Sequence, residues 1–95
     1  MAHHCHAAGC TQAVPRERLM CKRHWFMVPA AIRSCIWASY RPGQCDDWEI
    51  THEYAEAART AVRAVAEKEG RSEEDIREAC RVYDMLDPEP KSDAA

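Results

Sequence analysis

No stretch of this 95-residue chain approaches the roughly 20 consecutive apolar residues that cross a bilayer. Met1-Ala2-His3-His4 opens no charged-then-apolar leader. A membrane role is therefore not expected, and a reducing cytoplasm is the expected setting. Internal repeats and low-complexity tracts are missing. So are a P-loop, a dinucleotide-binding glycine fingerprint, a hydrolase elbow and a zinc-protease helix, which makes an enzyme the less expected outcome. Acidic residues are scarce in one half only. Residues 1–44 hold Arg16, Arg18, Lys22, Arg23, Arg33 and Arg41 against Glu17 alone, a balance of +5, while residues 45–95 carry −8. Such a split suggests a basic binding face beside an acidic one.

What is present is a single small domain's worth of chain, 46% hydrophobic, near the size at which burial alone gives marginal stability and a metal or disulfide staple is common. Six cysteines could form three disulfides in a secreted protein, but in a reducing compartment cysteines clustered with histidine point to metal. Cys5, Cys10, Cys21 and His24 fall at the spacing C-x4-C-x10-C-x2-H. Thiolate and imidazole are the ligands that zinc prefers, and four protein ligands leave no open position, so one structural zinc ion is expected. His3, His4 and His6 adjoin Cys5, and His6 is the alternative donor best placed to replace a cysteine. Three thiolates leave the zinc site at a formal charge of −1, which neighbouring Lys22 and Arg23 are placed to offset.

Arg41-Pro42-Gly43-Gln44, Gly70 and Asp87-Pro88-Glu89-Pro90 punctuate the chain. The pattern predicts a metal-binding turn and short irregular hairpin over 5–20, with Gly9 at a positive-φ knuckle position and Pro15 interrupting strand pairing. A helical turn from Cys21 should carry His24, Trp25 and Phe26 and break at Val28-Pro29. A helix from Pro29 to Tyr40 should bury Ile32, Cys35, Ile36, Ser39 and Tyr40. Thr51 caps a third helix running to about Glu69, with Tyr54, Ala57, Ala58, Ala61, Val62 and Val65 inward. Ser72 caps a fourth, with Ile76, Ala79, Cys80, Tyr83 and Leu86 inward. The expected architecture is mainly α: a treble-clef-like zinc finger with its following helix over 1–44, an acidic helical pair over 45–90 packed on it, and a disordered tail over 91–95.

The order of knuckle, hairpin and ligand pair on the first turn of a helix resembles treble-clef zinc fingers. More narrowly, Cys5-His6-Ala7-Ala8-Gly9-Cys10, Met20-Cys21-Lys22-Arg23-His24-Trp25-Phe26, Ile36-Trp37 and Tyr40-Arg41-Pro42-Gly43-Gln44 are similar to a family of small zinc-finger-like proteins encoded by bacteriophages and prophages. The similarity covers roughly residues 3–66. It implies zinc on the same four residues and a phage accessory role in a bacterial host, and it brings no assigned activity.

Outside the ligand set, Cys35 and Cys80 are expected in the core and Cys45 in a turn whose Asp46-Asp47 disfavour a thiolate. A second metal site from Cys45, His52 and acidic residues is the weaker reading. Trp25, Phe26 and Trp37 are expected as finger core, although their interleaving with Arg23, Arg33 and Arg41 could also stack bases. A metal-dependent nuclease would need an open metal and a histidine base, and only His52 lies away from the closed site. Two binding functions remain. A protein partner is ranked first, met through the acidic helices or the aromatic finger. A nucleic acid is second, met through Arg16, Arg18, Lys22, Arg23, Arg33 and Arg41 on its phosphates. The acidic half would repel a polyanion that wrapped the domain.

Overall fold

The computed structural model describes residues 3–15, 18–41, 43–44 and 49–88. The expectations for Arg16 and Cys45, and for the 91–95 tail, lie outside those residues. Four helices are present among them: α1 (Lys22–Trp25), α2 (Ala30–Ser39), α3 (His52–Lys68) and α4 (Glu73–Leu86).

The segment before α1 is irregular. His4 and Ala13 form an isolated antiparallel bridge, flanked by bonds from the Cys5 N–H to Gln12 O at 2.8 Å and from the Val14 N–H to His3 O at 2.9 Å. No strand extends the bridge among the described residues, so the expected hairpin is reduced to this one rung. The neighbouring donors are engaged elsewhere: His6 N–H reaches Leu19 O and Cys10 N–H closes the knuckle onto Ala7 O. Pro15 has no N–H to add.

The helix ends follow local chemistry. Cys21 is the N-cap of α1, and the turn closes with Val28 N–H on Trp25 O before Pro29. Pro29 then precedes α2, its fixed φ suited to a helix entrance. The Thr51 hydroxyl accepts the Tyr54 N–H at 3.0 Å and donates to Ser39 O at 3.1 Å, so one side chain caps α3 and ties it to the end of α2. Gly70, at φ +72°, ends α3. Ser72 accepts the Asp75 N–H, and Glu73, Glu74 and Asp75 fill the first turn of α4, where carboxylates favour the helix dipole.

Helix α3 is the axis of the molecule, packing against α2 and against α4. Its buried face is Tyr54, Ala55, Ala58, Ala61, Val62, Val65 and Ala66; small side chains let its neighbours approach closely. Ile36 of α2, and Ile76, Cys80 and Tyr83 of α4, complete one core cluster that also contains Cys5, Ala7, Ala8, Leu19, Met20 and Val28 of the N-terminal segment. Cys80 is buried as expected, but Cys35 is exposed. The covered stripe of α2 is narrower than its apolar spacing: Ile36 is buried and Ile32 packs against the core, while Cys35 stays exposed. Phe26 and Trp37, expected in the core, are also exposed, at 64% and 61%. None of the described helices is long and apolar enough to cross a membrane.

A candidate metal centre

Cys5, Cys10, Cys21 and His24 converge: one ligand atom from each lies within 4.8 Å of all the others, an arrangement that could hold a metal ion. Three separate local structures supply them. Cys5 and Cys10 flank the knuckle, where Gly9 adopts φ +75°. The cap position of α1 supplies Cys21, and His24 stands three residues on, one helical turn away on the same face. The His24 Nδ1 lies 3.1 Å from Cys21 Sγ and 3.6 Å from Cys5 Sγ. Tetrahedral ligation with Zn–S of about 2.3 Å and Zn–N of about 2.0 Å needs sulfur and nitrogen about 3.5 Å apart, so the donors already stand near bonding positions.

The chemistry of the donors fits a cation. Burial pushes the Cys5 thiol up to about 12, against the opposing pull of the Cys21 and Ala7 backbone N–H groups that point at its sulfur. Cys21 is also penalised by burial, but its bonds to the His24 backbone and ring and to Cys5 bring it down to about 7. A bound dication would draw the remaining protons off, as coordinated thiols are deprotonated outright.

A carboxylate holds the histidine from behind. His24 Nε2 pairs with Glu69 Oε2 at 3.1 Å, so that Nδ1 faces the cysteines and is the nitrogen that a metal would take. Glu69 is the C-cap of α3, and the adjacent Lys68 Nζ donates to Met27 O at 2.6 Å, so the end of α3 grips both sides of α1. Arg71 Nε lies 3.9 Å from the other Glu69 oxygen. Its guanidinium covers the knuckle so closely that a Cβ on Gly9 would sit 2.6 Å from Nη1. Gly9 is required for its φ of +75°, whereas the guanidinium, at the far end of a flexible side chain, could shift. Lys22 and Arg23 are exposed on α1; the cation brought against Glu69 is Arg71, from 47 positions beyond His24.

His6 has other work. Its Nδ1 accepts from the Tyr83 hydroxyl, and its Nε2 pairs with His3 Nε2 at 2.9 Å, while His3 Nδ1 donates to Pro15 O. Burial, with a smaller contribution from the nearby His3, pushes His6 down to about 4. The relay ties the N-terminal segment to α4. His52, considered for a second metal site with Cys45, which lies outside the described residues, places Nδ1 on Asp87 at 2.9 Å and Nε2 on Glu56 at 2.8 Å. Asp87, whose side chain is 2% exposed, also accepts from Arg59 at 3.0 Å.

The candidate nucleic-acid residues are spread over more than one surface. Arg18 and Lys22 line one cavity, and Arg23 is exposed on α1. The Arg33 guanidinium lies 5.5 Å from the Phe26 ring centroid. Arg41 stands in a separate groove between α2 and α3, its Nε bonded to Glu49 O. Spacing made the four donors legible in the sequence, whereas Glu69, Arg71 and Tyr83, brought in by α3 and α4, carried no local signal.

No family model, curated protein or solved structure matches the chain. Its class is therefore defined by the site itself: a mainly helical protein with a three-cysteine, one-histidine group able to hold a metal ion.

Proposed function

We propose that Cys5, Cys10, Cys21 and His24 bind one structural zinc ion, and that the chain is a non-enzymatic binding module of treble-clef type. In line with its resemblance, we place it among phage-encoded accessory proteins working in a bacterial cytoplasm. The observation that carries this reading is a convergent Cys3His set whose histidine is oriented by Glu69. Four protein donors close a tetrahedron and leave no position for water or substrate, so the metal's contribution is to hold a knuckle and a one-turn helix that are too short to persist alone. The knuckle, the single bridge and the ligand pair at the start of α1 support the treble-clef assignment.

The module's partner in this reading is a protein. A nucleic acid is the second reading, favoured by the exposed Arg18, Lys22 and Arg23, which make no ion pair among the described residues. Titration with labelled DNA and RNA at two salt concentrations separates the two, since phosphate contacts give a steep salt dependence. The metal assignment predicts one zinc per chain in protein purified without chelator, and loss of that zinc in Cys21→Ser. Metal analysis finding no zinc, or an unchanged melting curve for Cys21→Ser, would refute it.

A further inference from the structure

The surface beside the metal centre contains a cavity of about 450 Å³ between the segment preceding α1, α1 itself and α2. Its floor is aliphatic, made by the buried Leu19, Met20 and Ile36. Its walls include Phe26 and Trp37, the two most exposed aromatic rings among the described residues. The Trp37 ring meets Trp25 edge-on at 6.1 Å and Tyr40 at 6.3 Å. An indole has few rotatable bonds, so a ring that leaves most of its surface in water beside an apolar concavity loses little entropy when something covers it. The volume lies in the range of specific binding clefts.

Charge identifies the occupant. Arg18 and Lys22 stand among the lining residues, and both are exposed with no carboxylate partner among the described residues. The helical half behaves differently. Arg59 pairs with Asp84 and Asp87, Arg63 with Glu73, Arg71 with Glu69 and Arg81 with Glu78. Most of the arginines of the helical half have carboxylate partners, Arg77 being without one among the described residues, whereas both cations at the cavity are open, which favours an anionic ligand there. A continuous polyanion fits less well, because the next groove, reached across Tyr40, sets Glu53 and Glu56 against the single cation Arg41. A peptide carries charge only where its sequence places it, and a bulky apolar side chain can lie against Phe26 and Trp37.

We propose that the cavity between α1 and α2 binds an acidic peptide segment of a partner protein, which lays one bulky apolar side chain against Phe26 and Trp37 while its carboxylates meet Arg18 and Lys22. This rests on the reading of the chain as a metal-held binding module, because the metal fixes the helix that carries Lys22 and Phe26.

The test uses the full metal-loaded chain to select from a displayed library of random dodecapeptides. The expected result is enrichment of peptides with Trp, Phe or Leu flanked by Asp and Glu. Synthetic copies should weaken at least about tenfold with Trp37→Ala, as for a central aromatic contact. They should also weaken with Lys22→Glu and with added salt. Both positions are exposed, and Lys22→Glu serves as the second variant should Trp37→Ala disturb folding. Failure to enrich any peptide, enrichment of basic peptides, affinities unchanged by both variants, or displacement of the selected peptides by oligothymidylate would overturn the proposal. Metal content measured on the same samples separates the two readings. One metal per chain without acidic-peptide selection overturns only this inference, and absence of metal overturns the module reading as well.

Discussion

Glu69 shows how a residue far from the ligands in sequence can govern the site. Its Oε2 accepts the His24 Nε2–H, fixing the tautomer that a metal needs and raising the basicity of Nδ1. Removing such a partner typically costs 10–100-fold in metal affinity. Glu69→Ala is therefore expected to weaken zinc binding by about that factor in competition with a chromophoric chelator, with Glu69→Gln recovering part of the loss because its amide oxygen can still accept. Unchanged affinity in Glu69→Ala would show that the histidine is oriented by packing alone. Tyr83 makes the corresponding test of the second histidine network. Burial holds its phenol well above the ordinary value of 10, so its contribution to stability is fully present below pH 10 and is lost as pH rises beyond it. Tyr83→Phe should cost about 1–2 kcal/mol at neutral pH, because His6 Nδ1 loses its donor. The variant should also show a shallower alkaline loss of stability than the parent, read from melting temperatures between pH 8 and 11.

At the level of elements, the two capped helices differ in what their caps do. Ser72 accepts one N–H at the start of α4, whereas Thr51 both caps α3 and bonds the last residue of α2. Ser72→Ala is expected to cost about 1 kcal/mol, an ordinary capping loss. Thr51→Ala should cost more, about 2 kcal/mol, since the Ser39 carbonyl loses its donor as well. Equal losses in urea titrations would mean that the α2 contact contributes nothing. The same elements show what the sequence could reveal. Caps, prolines and Gly70 act within a few residues, so the ends of α3 and α4 could be read directly. The ligand spacing was legible for the same reason. The burial of α2 was not, because apolar spacing names a stripe without saying how wide a neighbour will cover it; Cys35 and Trp37 fell on the uncovered side. The hairpin was over-read, since strand pairing depends on where competing N–H groups find acceptors. Asp87, taken as no more than a helix stop, proved to be the acceptor of His52 and Arg59, a pairing set by the approach of α4 to α3.

Across the whole molecule the question is how far the influence of the proposed zinc ion would reach. Helices α1 and α2 have 4 and 10 residues, below the roughly 12–15 at which an isolated helix becomes even marginal in water. Helices α3 and α4 are longer, at 17 and 14 residues, and Asp87 binds them together through His52 and Arg59. Yet a helical pair of that size falls below the roughly 40 residues under which an unassisted core seldom suffices. Their buried faces also belong to the same cluster as Cys5, Leu19, Met20 and Val28. Structural zinc supplies roughly 10–16 kcal/mol of apparent binding energy in isolated fingers, comparable to or greater than the 5–15 kcal/mol that keeps a typical domain folded. Chelation should therefore unfold the chain as one unit, with far-UV ellipticity falling by more than the share of α1 and α2, and with hydrogen-exchange protection lost at Val62 and Val65 in the centre of α3. Protection retained there after zinc is stripped would show instead that α3 and α4 stand without the finger, and that the metal organises only the surface built around Trp37.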